Sequence, residues 1–274
     1  MTLFEDPTPA ASGPLVRVRA LVAYDGTDFH GFAEQPGPRT VGGVLRQALE
    51  QVVRQPVELT CAGRTDKGVH AWGQVVSFDV PAGIDLDALQ RSLTKLCGPT
   101  IAVRALVAGP PDFDARFSAR SRTYRYQVLN RTAPDPFRSR YAWYHPAPLE
   151  VELLTLACDP FLGEHDFSAF CRRPKAPTGG EPVSLVRRVL RAGWTDEGDG
   201  MLRFEIEATA FCHQMVRSIV GTIVAAGGGR LRAGDIRGII AGRDRAAAAP
   251  IAPPEGLTLF NVAYGPDVTW TDPA

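Results

Sequence analysis

Hydrophobic positions alternate with polar ones in some segments of the chain and recur at helical spacing in others. Residues 15–24 alternate and are rich in valine, which predicts a strand. Thr40 is a suitable N-cap for a helix whose apolar face begins at Val41 and continues to Val52. The same patterns predict further strands over 57–62, 74–80, 101–107, 123–129, 185–195, 201–210 and 257–264, and further helices over 86–96, 149–161, 215–223 and 235–241.

The Pro110-Pro111 turn separates these elements into two groups, each with several strands and two or three helices. We therefore expect an α+β protein of two domains, each a mainly antiparallel sheet with helices packed on one face. The expected organisation is a disordered tail over 1–14, an N-terminal domain over 15–110, a C-terminal domain over 111–265 and a tail over 266–274.

Composition narrows the classes of protein to consider. The chain has 274 residues, of which 45% are hydrophobic and 22% charged, as in ordinary globular proteins. No apolar run approaches the roughly 18 residues that a membrane span needs. Residues 1–14 lack the basic start and apolar stretch of a secretory signal. We expect a cytoplasmic protein without a membrane segment.

The five cysteines are scattered, and no pair has the spacing of metal ligands. The histidines form no His-x-x-x-His pair. We expect reduced, mostly buried thiols rather than disulfides, and no bound metal. The cysteines are Cys61, Cys97, Cys158, Cys171 and Cys212.

Charge is balanced over the whole chain, with 30 basic and 30 acidic residues, but it is unevenly distributed. Residues 116–140 carry seven arginines against Asp135, and residues 172–191 carry six basic residues against Glu181. Such clusters predict a basic face that attracts phosphates. The alternative is a solvated surface that merely uses arginine.

Asp66 lies between Arg64 and Lys67 in a loop bounded by Gly63 and Gly68. Flanking cations favour the ionised form of a carboxyl group, which a nucleophile or a general base requires. A surface loop with a local salt bridge would have the same pattern, so the loop alone leaves both interpretations open.

The segment Ala62-Gly63-Arg64-Thr65-Asp66-Lys67-Gly68-Val69-His70 resembles the catalytic signature of the tRNA pseudouridine synthase A family. Lys67 replaces the small residue usual in bacterial members. Other segments are similar to the family's motifs and follow in the same order from about residue 15 to residue 264: Tyr24-Asp25-Gly26 with Gly31, and residues 113–119, 122–126, 163–167, 211–217, 242–245 and 252–257.

The resemblance implies an isomerase that converts uridine to pseudouridine at nucleotides 38, 39 and 40 of the tRNA anticodon stem-loop. It also implies a homodimer that needs no cofactor. Asp66 aligns with the essential aspartate, Tyr124 with the tyrosine that stacks on the target base, Arg217 with the basic residue that pairs with the aspartate, and Arg64 with the arginine that helps to extrude the base. We therefore expect an active-site cleft between the two halves.

Two further segments fall where the family touches tRNA. They contain Phe113, Asp114, Ala115, Arg116 and Phe117, and Arg172, Arg173 and Lys175. An ionised Asp66 has three possible roles in the reaction: attack at C1′ of the ribose, attack at C6 of the base, or removal of the 2′ proton. The residues leave these three open.

Each assignment has an alternative. Tyr124 could be a core tyrosine, and Arg217 could form a structural ion pair, for which Asp66 is the obvious partner. We assign His70 and His213 structural or supporting roles. A non-catalytic RNA-binding protein would keep the basic clusters, and a metal-dependent nuclease would use Asp66 with His70, although no clustered set of carboxylates supports the nuclease.

Overall fold

A computed structural model describes residues 13–173, 183–266 and 268 of the chain. The predicted loop over 174–182 and most of both predicted tails lie outside the described residues. The strands are β1 Leu15–Tyr24, β2 Thr60–Cys61, β3 His70–Pro81, β4 Ile101–Ala108, β5 Ser121–Leu129, β6 Trp143–Tyr144, β7 Gly163–Asp166, β8 Val186–Gly198, β9 Met201–Ala208 and β10 Leu257–Ala263. The α-helices are α1 Val41–Val53, α2 Leu86–Cys97, α3 Val151–Leu156, α4 Met215–Gly227 and α5 Asp235–Gly242.

Several elements follow the sequence pattern closely. The predicted bounds of β1 are confirmed. Helix α1 begins at Val41 because the side chain of Thr40 accepts the backbone N–H of Gly43 at 3.2 Å, which satisfies a donor that the first turn leaves free. Helix α2 is capped in the same way by Asp85.

Two predicted elements are shorter than expected. Only Thr60 and Cys61 of the segment 57–62 pair with β3, so β2 has two residues. The predicted helix over 149–161 ends at Leu156 and is followed by a short 3₁₀ turn, Asp159–Phe161. Pro160 explains this break, because proline lacks an N–H and disfavours helical backbone at the residue before it.

One continuous sheet replaces the two sheets that we predicted. Its order is β4-β1-β3-β10-β5-β9-β8-β7, with β2 beside β3 and β6 beside β5. Strand β10, from the end of the chain, pairs in parallel with β3 and antiparallel with β5, and so joins the two halves. Most other pairings are antiparallel, which confirms the mixed, mainly antiparallel fold.

Alternation along the strands decides which side chains face the core. In β9 the even-numbered side chains are buried and the odd-numbered ones are half-buried. Tyr124 of β5 lies opposite Ile206, a buried position, whereas Arg125 lies opposite Glu205 and forms an ion pair with it. The register therefore turns Tyr124 toward the covered side of the sheet.

The expectation that all thiols are reduced was wrong for one pair. The structure joins Cys171 and Cys212 in a disulfide, with Cα atoms 5.8 Å apart. The two residues meet because the segment after Phe170 runs beside the segment after β9, where the N–H of Arg172 donates to the carbonyl of His213 at 3.0 Å. Cys61, Cys97 and Cys158 are free.

Candidate active site

The loop that carries Asp66 connects β2 to β3 and is fixed by backbone hydrogen bonds. The N–H of Phe32 donates to the carbonyl of Thr65 at 3.1 Å, and the N–H of Gly68 donates to the carbonyl of Phe29 at 3.2 Å. Gly68 has φ of +77°, a conformation that favours glycine. Asp66 is therefore held against residues 29–32.

Tyr24, the last residue of β1, and Gln74 of β3 also stabilise this loop. The hydroxyl of Tyr24 is 2.8 Å from that of Thr65, and Gln74 donates both to the Tyr24 hydroxyl and to the carbonyl of Gly63. Burial raises the pKa of Tyr24 well above its ordinary value, so the hydroxyl stays neutral. Gly31, at φ of +92°, leaves no room for a β-carbon, which would lie 2.6 Å from the carbonyl oxygen of Thr65.

The carboxylate of Asp66 contacts two side chains from the C-terminal half. Oδ2 lies 3.4 Å from Nη1 of Arg217, and Oδ1 lies 3.1 Å from Nε2 of His213. Arg217 also donates from Nε to the carbonyl of Ala252 at 2.8 Å. The predicted Asp66–Arg217 pair is therefore present, although 151 residues separate the partners. The contact with His213 was not predicted specifically; we assigned this histidine only a structural or supporting role.

Tyr124 is nearly buried close to this carboxylate. Burial raises its pKa well above the ordinary value, and the charge of Asp66 adds to the effect. Its ring packs edge-on against Phe211, with centroids 5.0 Å apart. A β-carbon on Gly63 would lie 3.6 Å from the Tyr124 hydroxyl, which places that hydroxyl beside the Asp66 loop.

Arg64 and Lys67, the cations that flank Asp66, are exposed. Neither forms an ion pair within the part of the chain that the structure describes. The local salt bridge that was the alternative interpretation of the loop is therefore absent there, and the carboxylate is instead paired across the two halves. Both flanking cations are available to a ligand.

A cavity of about 390 Å³ opens beside the loop. This volume lies within the range of roughly 300–1,000 Å³ that is usual for small-ligand sites. Thr27 was not among the predicted site residues, and Glu255 lies in the 252–257 motif but was given no role. The lining residues are Thr27, Lys67, Gly68, Arg217, Pro254 and Glu255.

The segment over 113–117 is only partly available to a ligand. Phe113 and Ala115 are buried. Phe113 packs against the ring of Tyr264, and the N–H of Ala115 donates to the Ser77 hydroxyl. We expected both residues to touch RNA, but their side chains are not accessible to it. Asp114 shapes the turn, because its carboxylate accepts two backbone N–H groups of the segment. Arg116 and Phe117 are exposed, Phe117 at 79%.

Most arginines of the cluster over 116–140 are buried or paired with carboxylates. Arg122 is buried and donates to the carbonyls of Ala62, Arg116 and Thr209. Arg116 and Arg120 remain exposed. The other four arginines pair with carboxylates: Arg125 with Glu205, Arg131 and Arg138 with Asp135 and Asp199, and Arg140 with Asp28.

In the second basic cluster, Arg172 and Arg173 are exposed where the chain leaves the 3₁₀ turn Ser168–Phe170. Lys175 lies outside the described residues. Arg191 pairs with Glu207 at 2.9 Å. The exposed cations of the two clusters therefore come from separate segments rather than from one run of sequence.

His70 is buried and has a structural role. Its Nδ1 accepts the N–H of Gly26, and its Nε2 lies 3.1 Å from the carbonyl of Glu255. Both nitrogens are occupied, so His70 is not placed to act with Asp66 on a shared metal ion. Among the residues that the structure describes, no three His, Cys, Asp or Glu side chains form a group that could hold a metal. None of the helices described is both long and apolar enough to cross a membrane.

Comparisons with known proteins show which family the chain belongs to. A family model described as tRNA pseudouridine synthase matches residues 20–118 and 157–265. Proteins named tRNA pseudouridine synthase A are 43% identical over 257 residues in Frankia casuarinae, covering 92% of this chain and 91% of that protein, and 39% identical over 249 residues in Geobacillus kaustophilus, covering 90% and 94%. A third, from Corynebacterium glutamicum, is 42% identical over 265 residues and covers 91% and 89%. The chain therefore belongs to the tRNA pseudouridine synthase family of isomerases.

Proposed function

We propose that this protein isomerises uridine to pseudouridine at positions 38, 39 and 40 of the tRNA anticodon stem-loop, with Asp66 as the nucleophile. The observation that carries the proposal is the carboxylate of Asp66, paired with Arg217 from the other half of the chain and only 23% exposed beside a cavity. Family membership supplies the substrate class.

The reaction moves the bond that joins base and sugar. The bond from N1 of uracil to C1′ breaks, the base turns, and C5 bonds to C1′; C5 loses its proton and N1 gains one. Nothing is oxidised or reduced, so these residues suffice without a redox partner. Asp66 reaches the sugar as a nucleophile at C1′, and attack at C6 or removal of the 2′ proton are the alternatives for the same oxygen atoms.

Arg217 holds the carboxylate in place. Its Nη1 lies 3.4 Å from Oδ2 of Asp66, and the hydrogen bond to Ala252 fixes the guanidinium in turn. Because Arg217 is only 12% exposed, water screens this attraction little.

A uridine in a stem must leave the helix before Asp66 can reach it, which costs a few kcal/mol of unstacking. Stacking on an aromatic ring returns about 1–3 kcal/mol, and Tyr124 supplies that ring beside the carboxylate. Phe211 now packs against Tyr124, so one of the two rings shifts when the base enters. Arg64, exposed at the loop, fills the gap in the stem or grips a phosphate.

The tRNA backbone is held by exposed cations and one exposed ring. Arg116, Phe117, Arg172 and Arg173 are suited to this contact, and Lys175 continues the same segment in sequence. We further propose a cytoplasmic homodimer in which basic surfaces of two chains meet one tRNA, and a division of each chain near residue 110 into two domains that share the sheet and enclose the active-site cleft.

Release of tritium from tRNA transcripts labelled at C5 of uridine tests the reaction directly. The wild-type protein should release one tritium per modified site, and Asp66→Asn should release none while it still binds tRNA and unfolds at the same urea concentration. A wild-type protein that binds tRNA without tritium release would instead be a non-catalytic RNA-binding protein. Pseudouridine mapping of total tRNA with and without the gene identifies the positions.

A further inference from the structure

The carboxylate of Asp66 is held at both of its oxygens, by different side chains. Oδ1 faces Nε2 of His213 at 3.1 Å, and Oδ2 faces Nη1 of Arg217 at 3.4 Å. The contact with His213 is the shorter one, although its side chain is 47% exposed whereas that of Arg217 is 12% exposed. The two oxygens therefore have distinct partners.

The backbone fixes His213 on both sides. Gln214 adopts left-handed backbone with φ of +66°, which turns the chain into α4 immediately after the histidine. On the other side Cys212 is joined to Cys171, and the carbonyl of His213 accepts the N–H of Arg172. The backbone that carries His213 is therefore held in place beside Asp66.

One donor does not fix the plane of a carboxylate, because the group can still turn about the Cβ–Cγ bond. Donors on both oxygens remove that rotation. Arg217 divides its guanidinium between Asp66 and the carbonyl of Ala252, and its contact with Oδ2 lies at the long end of the hydrogen-bond range. Nε2 of His213, 3.1 Å from Oδ1, is close enough to supply the second restraint on the plane.

We propose that His213 is a positioning residue that fixes the plane of the Asp66 carboxylate for attack on the ribose; this inference rests on the proposed function. His213 acts through Asp66 and exchanges no proton with the substrate. Both the neutral ring protonated at Nε2 and the imidazolium ion donate from Nε2, so the contact needs only that this nitrogen carries hydrogen.

The test is a comparison of His213→Ala and His213→Gln in single-turnover and steady-state tritium release. His213→Ala should lower kcat by about tenfold to a hundredfold, the loss expected for one hydrogen bond to a charged group. The KM for tRNA and the Kd of the complex should stay unchanged, because His213 does not contact RNA in this proposal. His213→Gln, whose side-chain amide can donate to Oδ1, should recover most of the lost rate.

His145→Ala is the matched control. His145 lies in the same half of the chain, and its Nδ1 contacts only the nearby carbonyl of Ala147. This variant should keep wild-type kcat and KM.

Three results would overturn the inference. An unchanged kcat in His213→Ala would show that Arg217 alone positions Asp66. A raised KM at unchanged kcat would make His213 an RNA contact. A His213→Gln variant as slow as His213→Ala would exclude the donated hydrogen bond. Failure of the proposed function is distinguishable, because wild-type protein would then release no tritium at all.

Discussion

Nδ1 of His70 accepts a hydrogen bond from the backbone N–H of Gly26 at 3.0 Å. An accepting nitrogen carries no hydrogen, so the ring is neutral with its proton on Nε2, which donates to the carbonyl of Glu255. A carboxylate oxygen of Asp25 lies 3.2 Å from the same Nδ1 and would attract a second proton. Protonation would gain that ion pair but break the bond from Gly26, which anchors the turn behind the Asp66 loop.

The stability of the protein should therefore fall between neutral and mildly acidic pH. Burial lowers the pKa of His70 below its ordinary value of 6.5, and the charge of Asp25 opposes the shift only in part. The unfolded ring thus takes up its proton at higher pH than the folded ring. The contribution of His70 to the free energy of unfolding is complete above pH 6.5. It declines as the pH falls from 6.5 toward the folded pKa, and it declines no further below the folded pKa.

Urea unfolding at several values from about pH 8 to pH 5 measures this decline. In His70→Asn the amide oxygen can still accept from the N–H of Gly26, but the side chain no longer takes up a proton. The free energy of unfolding should therefore change less with pH over this range. Acidic groups do not obscure the effect, because hydrogen bonds from Ser168 and Ser121 lower the pKa of Asp166 and Glu207 below their ordinary values of 3.8 and 4.5. A His70→Asn slope equal to that of wild type would contradict the assignment.

Replacing Arg217 should slow catalysis more than it weakens binding. Arg217→Ala leaves Asp66 without its cation, and we expect kcat to fall by about a hundredfold or more, equivalent to roughly 2.7 kcal/mol. Arg217→Lys keeps a charge but cannot hold both Asp66 and Ala252, so its loss should be smaller but clear. Single-turnover tritium release at saturating enzyme measures the effect; equal rates in the Lys and wild-type proteins would speak against the need for the second contact.

Removing Arg122 should destabilise the fold. Its guanidinium donates to four carbonyls in three segments, and Arg122→Ala leaves them without this donor; the carbonyls belong to Ala62, Arg116, Ala119 and Thr209. We expect a loss of about 3 kcal/mol in the free energy of unfolding, since each unsatisfied group costs about 1–3 kcal/mol and water can reach some of them. The neighbouring exposed Arg120 is the control, and Arg120→Ala should change stability by less than about 0.5 kcal/mol.

The affinity for tRNA should depend on the exposed arginines and not on the paired ones. Arg116→Ala and Arg173→Ala should each weaken binding and lower the slope of log affinity against log salt by about one. Arg138→Ala should change neither, because Asp135 and Asp199 already neutralise its charge. Filter binding at several salt concentrations measures these effects. If Arg138→Ala weakened binding more than Arg116→Ala or Arg173→Ala, the sequence cluster rather than the exposed charge would determine affinity.

Local patterns predicted the elements of the fold, because the determinants of β1 and of the Thr40 cap lie within a few residues of each other. The single sheet was missed because it depends on the parallel pairing of β10 with β3, which involves only two residue pairs. The pattern of a strand does not say which other strand it pairs with. Charge was misread for the same reason: Arg125 is basic in sequence but neutralised by Glu205, 80 residues away.

The candidate site was predictable to the extent that motifs encode it. The resemblance paired Asp66 with Arg217 in advance, and the need of a cation on an apolar helix for a partner pointed to the same residue. His213 could not be assigned to Oδ1, since the left-handed turn at Gln214 that places its backbone beside Asp66 is not visible in the sequence pattern. The burial of Phe113 and Ala115 was also hidden, because a motif identifies a segment but not which of its side chains face inward.

The place of β10 in the sheet has a consequence for how the protein is made. This strand and the residues just before it provide the seam between β3 and β5, the carbonyl of Ala252 for Arg217 and the carbonyl of Glu255 for His70. All of them leave the ribosome after Asp66, Tyr124 and Arg217. A nascent chain that stops before residue 252 thus contains these three residues but lacks the strand that brings them into register, so the site is assembled only after β10 has been synthesised.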